Sequence, residues 1–505
     1  MTDRALRSGA AFGAFDLGTS NMKAALVLPD RSYHVFCARP SNIRVEASGE
    51  VTCNATQLFA SFRELLAEMG EAAVDGGASE LHLGLCAHVS SLILWNVNEG
   101  RIEHDDFPIW MDTSSRDSVP ALKSFFANGR DRELLSTSMP VVPNWLAVMI
   151  YHRVTGRSCS GLKILQIHDY LYHLLSGSFH SHYTGHVSLV DNRAKDYSDE
   201  LLEFLGITRA NLPEIRDAGG SVVEDPYGRL QGVTLPERTV VYPGLADRSA
   251  GFLGMDLRDG DGFILASTSE NAGVYLDREE PPPERLLRMR HRDGWLYYGS
   301  TTAGGSTLNW FFETVVGSTN DEAVAELLER AAAVPPGAEG LIFQPYLAGE
   351  RAPLWSESVA GSFVGLRTHH RREHLLRAVL EGVAFGKRQL FEELGGRQPQ
   401  RVKIAGGVAR AELLNRIRAA VSNADMIVYD DVEFPVRGLL TVLLKAGGVS
   451  NVDAILPPLA PRRVRPDETW RRRYDELYQR FLEVQNRQAP LWDGPTWSKS
   501  SGRES

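Results

Sequence analysis

Cysteine is scarce: the 505-residue chain has four, Cys37, Cys53, Cys86 and Cys159, all in the first third and far apart. No CxxC pair and no Cys/His spacing of the zinc type occurs, which excludes a disulfide scaffold and a structural zinc module. Free thiols in a reducing compartment, the cytoplasm, are expected. Long apolar runs are missing as well. No stretch approaches the roughly 18 residues of a membrane-spanning helix. Met1 to Ala10 is polar and charged, without the apolar centre of a secretory signal. Positive charge is in deficit, with Lys+Arg 54 against Asp+Glu 64 and a net charge of −10. That balance argues against a nucleic-acid coat or an anionic membrane surface as the main partner. What remains is ordinary globular composition, 43% hydrophobic and 23% charged, so the chain folds. Its length suggests two or three domains at roughly 100–200 residues each.

Two segments share one grammar. Residues 11–28, AFGAFDLGTSNMKAALVL, read as an apolar strand, a Gly-Thr-Ser turn and a second apolar strand. Residues 261–276, DGFILASTSENAGVYL, repeat the plan around a Ser-Thr-Ser turn half a chain later, which suggests two related lobes. Residues 81–95 look like strand, polar loop and strand. Residues 164–176 and 199–205 look helical, and 304–315 look like a glycine turn opening a helix. A long amphipathic helix is expected over 374–394, a strand over 402–407 and a helix over 411–422. Residues 457–465 (PPLAPRRVR) read as a turn-rich linker, 469–486 as a last amphipathic helix, and the tail beyond 488 as poorly ordered. Strands alternating with helices point to α/β lobes.

The chemistry-bearing signals are turns. In Asp16-x-Gly18-Thr19-Ser20-x-x-Lys23, glycine lets backbone amides approach a phosphate and the hydroxyls add donors. Asp16 is suited to hold Mg²⁺, usually through water; an ordinary hairpin turn is the plain alternative. Ser267, Thr268 and Ser269 offer the same chemistry, and Gly406-Gly407 after a strand would let a flat ligand lie on bare backbone. Asp247 stands among small apolar neighbours in Pro243–Ser249, as a general base for an alcohol or as a helix cap. Two look-alikes are set aside. His370-Arg371-Arg372-Glu373-His374 fits a zinc-protease spacing without a third ligand, and Gly382–Lys387 (GVAFGK) has its glycines too close for a phosphate loop and no following Ser or Thr.

With these residues in view, the chain resembles the FGGY family of carbohydrate kinases. The motif at 16–23 is similar to that family's N-terminal signature. Residues 340–366 (GLIFQPYLAGERAPLWSESVAGSFVGL) and 375–386 (LLRAVLEGVAFG) resemble its C-terminal hallmark, and the likeness covers about residues 11–450. It implies two actin-like ribonuclease-H-fold lobes, residues 10–246 and 247–456, with ATP and sugar in the interlobe cleft, then a linker and helix (457–487) and a tail (488–505). By resemblance, Asp247 is the catalytic base, and Asp16, Gly18, Thr19 and Ser20 form the first phosphate loop. Thr268 lies on the second loop, Gly304, Gly305 and Asn309 on a nucleotide-contacting turn, and Gly407 on the adenosine side. Asp112 in WMDTSSR is placed where the family contacts substrate. The implied activity is transfer of the ATP γ-phosphoryl, with Mg²⁺, to a terminal hydroxyl of a ketose or polyol. A cytoplasmic protein is implied, with a small-molecule partner, no nucleic acid and no membrane; dimers are common in the family, but the sequence shows no interface.

Three positions depart from the pattern. His88, Val89 and Ser90 stand in the sugar loop, with Ser90 replacing the histidine of xylulose kinases. Arg248 follows Asp247 where Asn or Gln is usual; paired with it, Arg248 should lower the Asp247 pKa, and it is suited to a charged or more oxygenated substrate. Ser267 replaces a glycine. These changes motivate one alternative, a degenerate sugar-binding pseudokinase or sensor without turnover.

Overall fold

The computed structural model describes residues 9–46, 50–135, 141–266, 269–281, 283–356, 358–430 and 432–492. Contacts divide the chain into two compact units, Met1–Asp256 with Glu433–Pro458, and Leu257–Val432 with Leu459–Ser505.

In the first unit, β1 (Ala10–Leu17) and β2 (Asn21–Val27) form the expected hairpin, and β3 (Tyr33–Pro40) adds antiparallel to β2. Helix α1 (Ala55–Asp75) follows, capped by the Asn54 side chain, which accepts from the Gln57 amide at 3.0 Å. β4 (Glu80–Ala87) lies parallel to β1. After α2 (Ile167–Ser176) come β5 (Ser221–Val222), β6 (Arg238–Val241), β7 (Leu245–Ala246) and α3 (Asp247–Gly254). The sheet order is β5-β6-β4-β1-β2-β3, with β7 also paired to β4.

The second unit opens with β8 (Gly262–Ala266), β9 (Glu270–Leu276), β10 (Leu287–His291), β11 (Gly294–Thr301) and α4 (Gly305–Trp310). It continues with α5 (Arg372–Glu392), β12 (Arg401–Ala405), α6 (Glu412–Ser422) and β13 (Asp425–Val428). The chain then contributes α7 (Phe434–Ala446) to the first unit before adding β14 (Arg462–Val464) and α8 (Glu468–Trp492) to the second. The second sheet runs β10-β11-β9-β8-β12-β13-β14. In both sheets the leading strand sits between its antiparallel hairpin partner and a later parallel strand, β2-β1-β4 and β9-β8-β12. The likeness of the two Ser/Thr sequence motifs therefore accompanies a repeated strand order.

β1 is apolar at nearly every position because both of its faces are covered. Ala11, Phe15 and Leu17 pack with Leu58, Phe62, Leu65 and Met69 of α1. Ala10, Phe12 and Ala14 pack with Val436, Leu439, Leu440 and Leu443 of α7. Successive side chains alternate faces, so a strand covered on both sides reads as an unbroken apolar run. In the second unit Tyr474, Leu477, Tyr478 and Phe481 of α8 close a core with Leu376, Leu380 and Phe385 of α5 and Leu414 and Ile417 of α6.

Four expectations are corrected. Residues 164–176 are not one helix: a strand spans Leu162–Leu165, and α2 starts after Gln166, whose amide donates to Asp169 Oδ2 at 2.9 Å. The 457–465 linker contains β14, an edge strand whose prolines lie outside the paired residues. The last helix runs on to Trp492, and 493–505 lie outside the described residues. The expected lobe boundary at 246/247 differs from the compact units, which place α3 and α7 together in the first. These two helices approach so closely that a Cβ on Gly254 would meet the Phe434 carbonyl, and one on Gly438 the Ala250 carbonyl. No helix among the described residues is long and apolar enough to cross a membrane, and all four cysteines are free thiols.

Candidate active site

The first unit gathers two carboxylates at one end of its sheet. Asp16 pairs in register with Lys23 on β2 and with Cys86 on β4, whose next residue, Ala87, pairs with Ala246 on β7. Asp247 follows Ala246 directly, so the strand ends bring Asp16 and Asp247 near each other. Asp16 is only 7% exposed, and Cys86 Sγ donates to its Oδ1 at 3.6 Å. Burial pushes the Asp16 carboxyl up to about 7; the negative charge of Asp247 adds to the rise, and Lys23 opposes it. The Lys23 ammonium itself is bound by Glu433, Nζ to Oε1 2.7 Å.

Asp247 is the first residue of α3, and Ala246 occupies the cap position, so the capping alternative does not describe it. Its carboxyl is also raised by burial. The Arg248 amide, donating to its Oδ1 at 2.5 Å, and the Arg248 guanidinium pull the other way without offsetting that burial. The net direction is the reverse of the one expected from an adjacent arginine, because desolvation outweighs a single neighbouring charge.

The turn between β1 and β2 is braced from behind. Ser41 Oγ donates to the Gly18 carbonyl at 2.6 Å, and its amide donates to the Ser20 carbonyl at 3.1 Å. Trp110 Nε1 donates to Thr19 Oγ1 at 2.9 Å, leaving the threonine's own proton to give, while Ser20 is exposed. Sequence reading missed both Ser41 and Trp110. Trp110 stands in the same WMD run that singled out Asp112, and an aromatic before a polar loop was the one available signal.

The loop of His88, Val89 and Ser90 is pinned rather than loose. His88 is buried, and burial, reinforced by nearby His168, lowers its imidazole to about 4, so it is neutral at pH 7. Val89 and Ser90 are half-buried. Fully buried Ser91 receives the Ile167 amide on its Oγ at 3.1 Å and gives its own amide to Gln166 Oε1 at 3.2 Å, anchoring the loop to the start of α2. Asp112 is fully buried. Its oxygens accept from the Val51 amide at 3.3 Å and the Ser114 hydroxyl at 2.6 Å, with Arg153 Nη2 at 3.8 Å. These contacts tie the loop of Asp112 and Ser114 to Val51 and to Arg153.

In the second unit Gly304 and Gly305 are buried at the start of α4, and Asn309 is exposed on that helix. At the end of β12 the backbone demand falls on Gly406, whose φ is +106° and where a Cβ would strike the Ala266 carbonyl; nothing lies within 4 Å of a Cβ on Gly407. Gly407 thus fronts open space. Ser267 and Thr268 lie outside the described residues.

Among the described residues one group of metal-ligating side chains comes together: buried His168, Asp169 and His186, with ligand atoms within 4.8 Å of one another. His186 Nε2 is 3.0 Å from Asp169 Oδ2 and His168 Nε2 is 3.3 Å from Oδ1. Burial pushes Asp169 up, but the two imidazoles outweigh it and hold the carboxyl at about 2. Both Nδ1 atoms lack a hydrogen-bond partner, whereas a metal-bound imidazole normally donates from its second nitrogen. The group fits a hydrogen-bonded cluster beside His88. In the 370–374 run, Glu373 is held by Arg330 at 2.7 Å and His374 Nδ1 accepts from the Arg371 amide at 3.1 Å. Gly382–Lys387 lies inside α5.

Residues 11–254 match the N-terminal domain, and residues 264–446 the C-terminal domain, of the FGGY family of carbohydrate kinases. The chain is 31% identical over 304 residues to a xylulose kinase of Lactococcus lactis subsp. lactis (strain IL1403), covering 58% of this chain and 59% of that protein. It is 27% identical over 310 residues to a gluconokinase of Bacillus subtilis (strain 168), covering 58% and 60%. The match thus spans about three fifths of the length of each relative. In three dimensions the chain is similar to a ligand-bound xylulose kinase from Lactobacillus acidophilus, with a TM-score of 0.85 at 19% identity over 97% of this chain and 100% of that one. That likeness identifies both sheets as the actin-like fold. With one family's two domain models matched in order along nearly the whole fold, the chain belongs to the FGGY family of carbohydrate kinases.

Proposed function

We propose that the chain is an ATP-dependent kinase that phosphorylates a terminal hydroxyl of a ketose or polyol, with Asp247 as general base. The observation that carries this reading is the pair of carboxyls, Asp16 and Asp247, at one sheet end, each raised from its ordinary value mainly by burial. A raised carboxyl is a stronger base and suits proton abstraction from an alcohol. Asp247 takes the hydroxyl proton as that oxygen bonds to the γ-phosphorus. The bond to the β,γ-bridging oxygen breaks, and ADP leaves with that oxygen.

Mg²⁺ fits the Asp16 side. A hard carboxylate donor crowded by a second, half-buried carboxylate is a setting that a divalent cation relieves. When bound, the ion would neutralise phosphate charge. Gly18, Thr19, Ser20 and Thr268 would cradle the phosphates, and Gly304, Gly305, Asn309 and Gly407 the rest of the nucleotide. His88, Val89 and Ser90 face the acceptor in this reading, with Asp112 shaping the loop behind them. Relatives named for xylulose and gluconate support a polyhydroxylated acceptor, and Arg248 beside the base suits a more oxygenated or charged one. A cytoplasmic location belongs to this reading, supported by the free thiols and by the use of ATP.

The test is ADP release with Mg-ATP across ketoses, polyols, aldoses and gluconate, with Asp247→Asn as control. One acceptor whose turnover vanishes in the control is expected. Silence across the panel with intact ATP binding would replace this reading with the non-catalytic sensor.

A further inference from the structure

The segment Gly382–Lys387 ends on a lysine with no solvent exposure inside α5. Its ammonium donates to the Ala303 carbonyl at 2.9 Å and to the Thr301 hydroxyl, and lies 3.2 Å from Glu270 Oε2. The other oxygen of Glu270 is taken by Arg418 Nη2 from α6. Glu350, whose charge also acts on Lys387, accepts the Thr302 and Arg351 amides, each at 2.7 Å. Glu270, Lys387 and Arg418 are 0% exposed and Glu350 is 5% exposed. Two charges of each sign are thus sealed in the core of the second unit.

Well-packed apolar side chains usually stabilise a core at least as well as a buried ion pair, whereas removing one partner of such a pair is costly. What the charges supply here is connection. Ala303 immediately precedes Gly304 and Gly305, and Glu270 is the first residue of β9, directly after the Ser-Thr-Ser motif. Thr302, next to Ala303, is tied to Glu350 through both its amide and its hydroxyl. Lys387 therefore joins the start of β9 to the turn that opens α4.

We propose that Lys387 is a positioning residue for the nucleotide, holding the 303–305 turn in register with β9 through the Ala303 carbonyl and Glu270. The inference rests on the nucleotide reading of Gly304 and Gly305. Calorimetric Kd values for Mg-ADP, thermal midpoints and, with the best acceptor, KM for each substrate are measured on the full chain. Lys387→Met is expected to weaken Mg-ADP about tenfold or more while the acceptor KM stays within about twofold. Lys387→Met with Glu350→Gln leaves the buried Glu270–Arg418 pair intact and keeps a carbonyl oxygen for the Thr302 and Arg351 amides, so it is expected to recover the thermal midpoint without recovering nucleotide affinity. That double variant carries the test if the single one fails to fold. Nucleotide affinity that returns together with the midpoint would reduce Lys387 to a packing role and overturn the proposal. Unchanged Mg-ADP binding in Lys387→Met, with binding lost in Gly305→Val, would overturn it too. Unchanged binding in both would overturn the nucleotide reading beneath it.

Discussion

A carboxyl group buried beside a second carboxyl pays for its charge in stability, and Asp16 shows the consequence. Its pKa rises from 3.8 to about 7 on folding, mainly through burial. The folded protein thus holds a proton there that the unfolded chain has released. The stability contributed by this group is fully present below pH 3.8 and is lost as pH rises through about 7. At 1.36 kcal/mol per unit the loss is roughly 4 kcal/mol. Asp16→Asn should remove that slope, making the variant more stable than the parent at pH 8 in urea unfolding while its turnover collapses. A parent stability that rises between pH 5 and 8 by this group's share, or an unchanged Asp16→Asn profile, would refute the burial argument. For Asp247→Asn the expected result is a turnover loss of about 10²–10⁴-fold with nucleotide affinity nearly unchanged, since a base is removed and no nucleotide contact is. Thr19 and Trp110 supply a coupled pair. Thr19→Val and Trp110→Phe should each weaken ATP binding, and the double variant should be no worse than the Thr19 variant alone, because the indole acts through that hydroxyl. Additive losses would separate them.

Elements were legible where their signals are local. The two hairpins follow from apolar runs broken by small-residue turns, and α5 and α6 from their periodicity. The break at Gln166 was not, because Leu162–Leu165 and the start of α2 form one continuous apolar pattern that only a backbone-to-Asp169 hydrogen bond divides. Glycine meaning was also hidden. Gly406 and Gly407 look alike in sequence, yet one is forced by a positive φ and the Ala266 carbonyl while the other faces open space. Gly406→Ala should therefore cost about 1–3 kcal/mol of stability. Gly407→Ala should leave unfolding unchanged and weaken nucleotide binding. Equal stability losses for both would contradict the assignment. The same reasoning applies at the α3–α7 crossing, where Gly438→Ala must push the helices apart.

At the scale of the whole molecule, the covering of β1 comes from a helix far along the chain. A fragment of residues 1–256 lacks α7 and leaves Ala10, Phe12 and Ala14 uncovered. It should show no cooperative urea transition by circular dichroism, and joining residues 433–458 through a flexible linker should restore one. A cooperative transition in the shorter fragment would show that α7 is dispensable. By itself, the sequence determined the α/β class, the paired hairpins, the family, and Asp16 and Asp247 as the residues to examine, because short-range patterning and contiguous motifs carry that information. Only the tertiary structure decided that α7 completes the first unit, that Asp112 is buried against Val51 and Ser114, that Trp110 braces Thr19 and that Lys387 is sealed against Glu270. Each of these depends on contacts between residues distant in sequence, and a buried side chain's partner and the desolvation it suffers are properties of the packed fold.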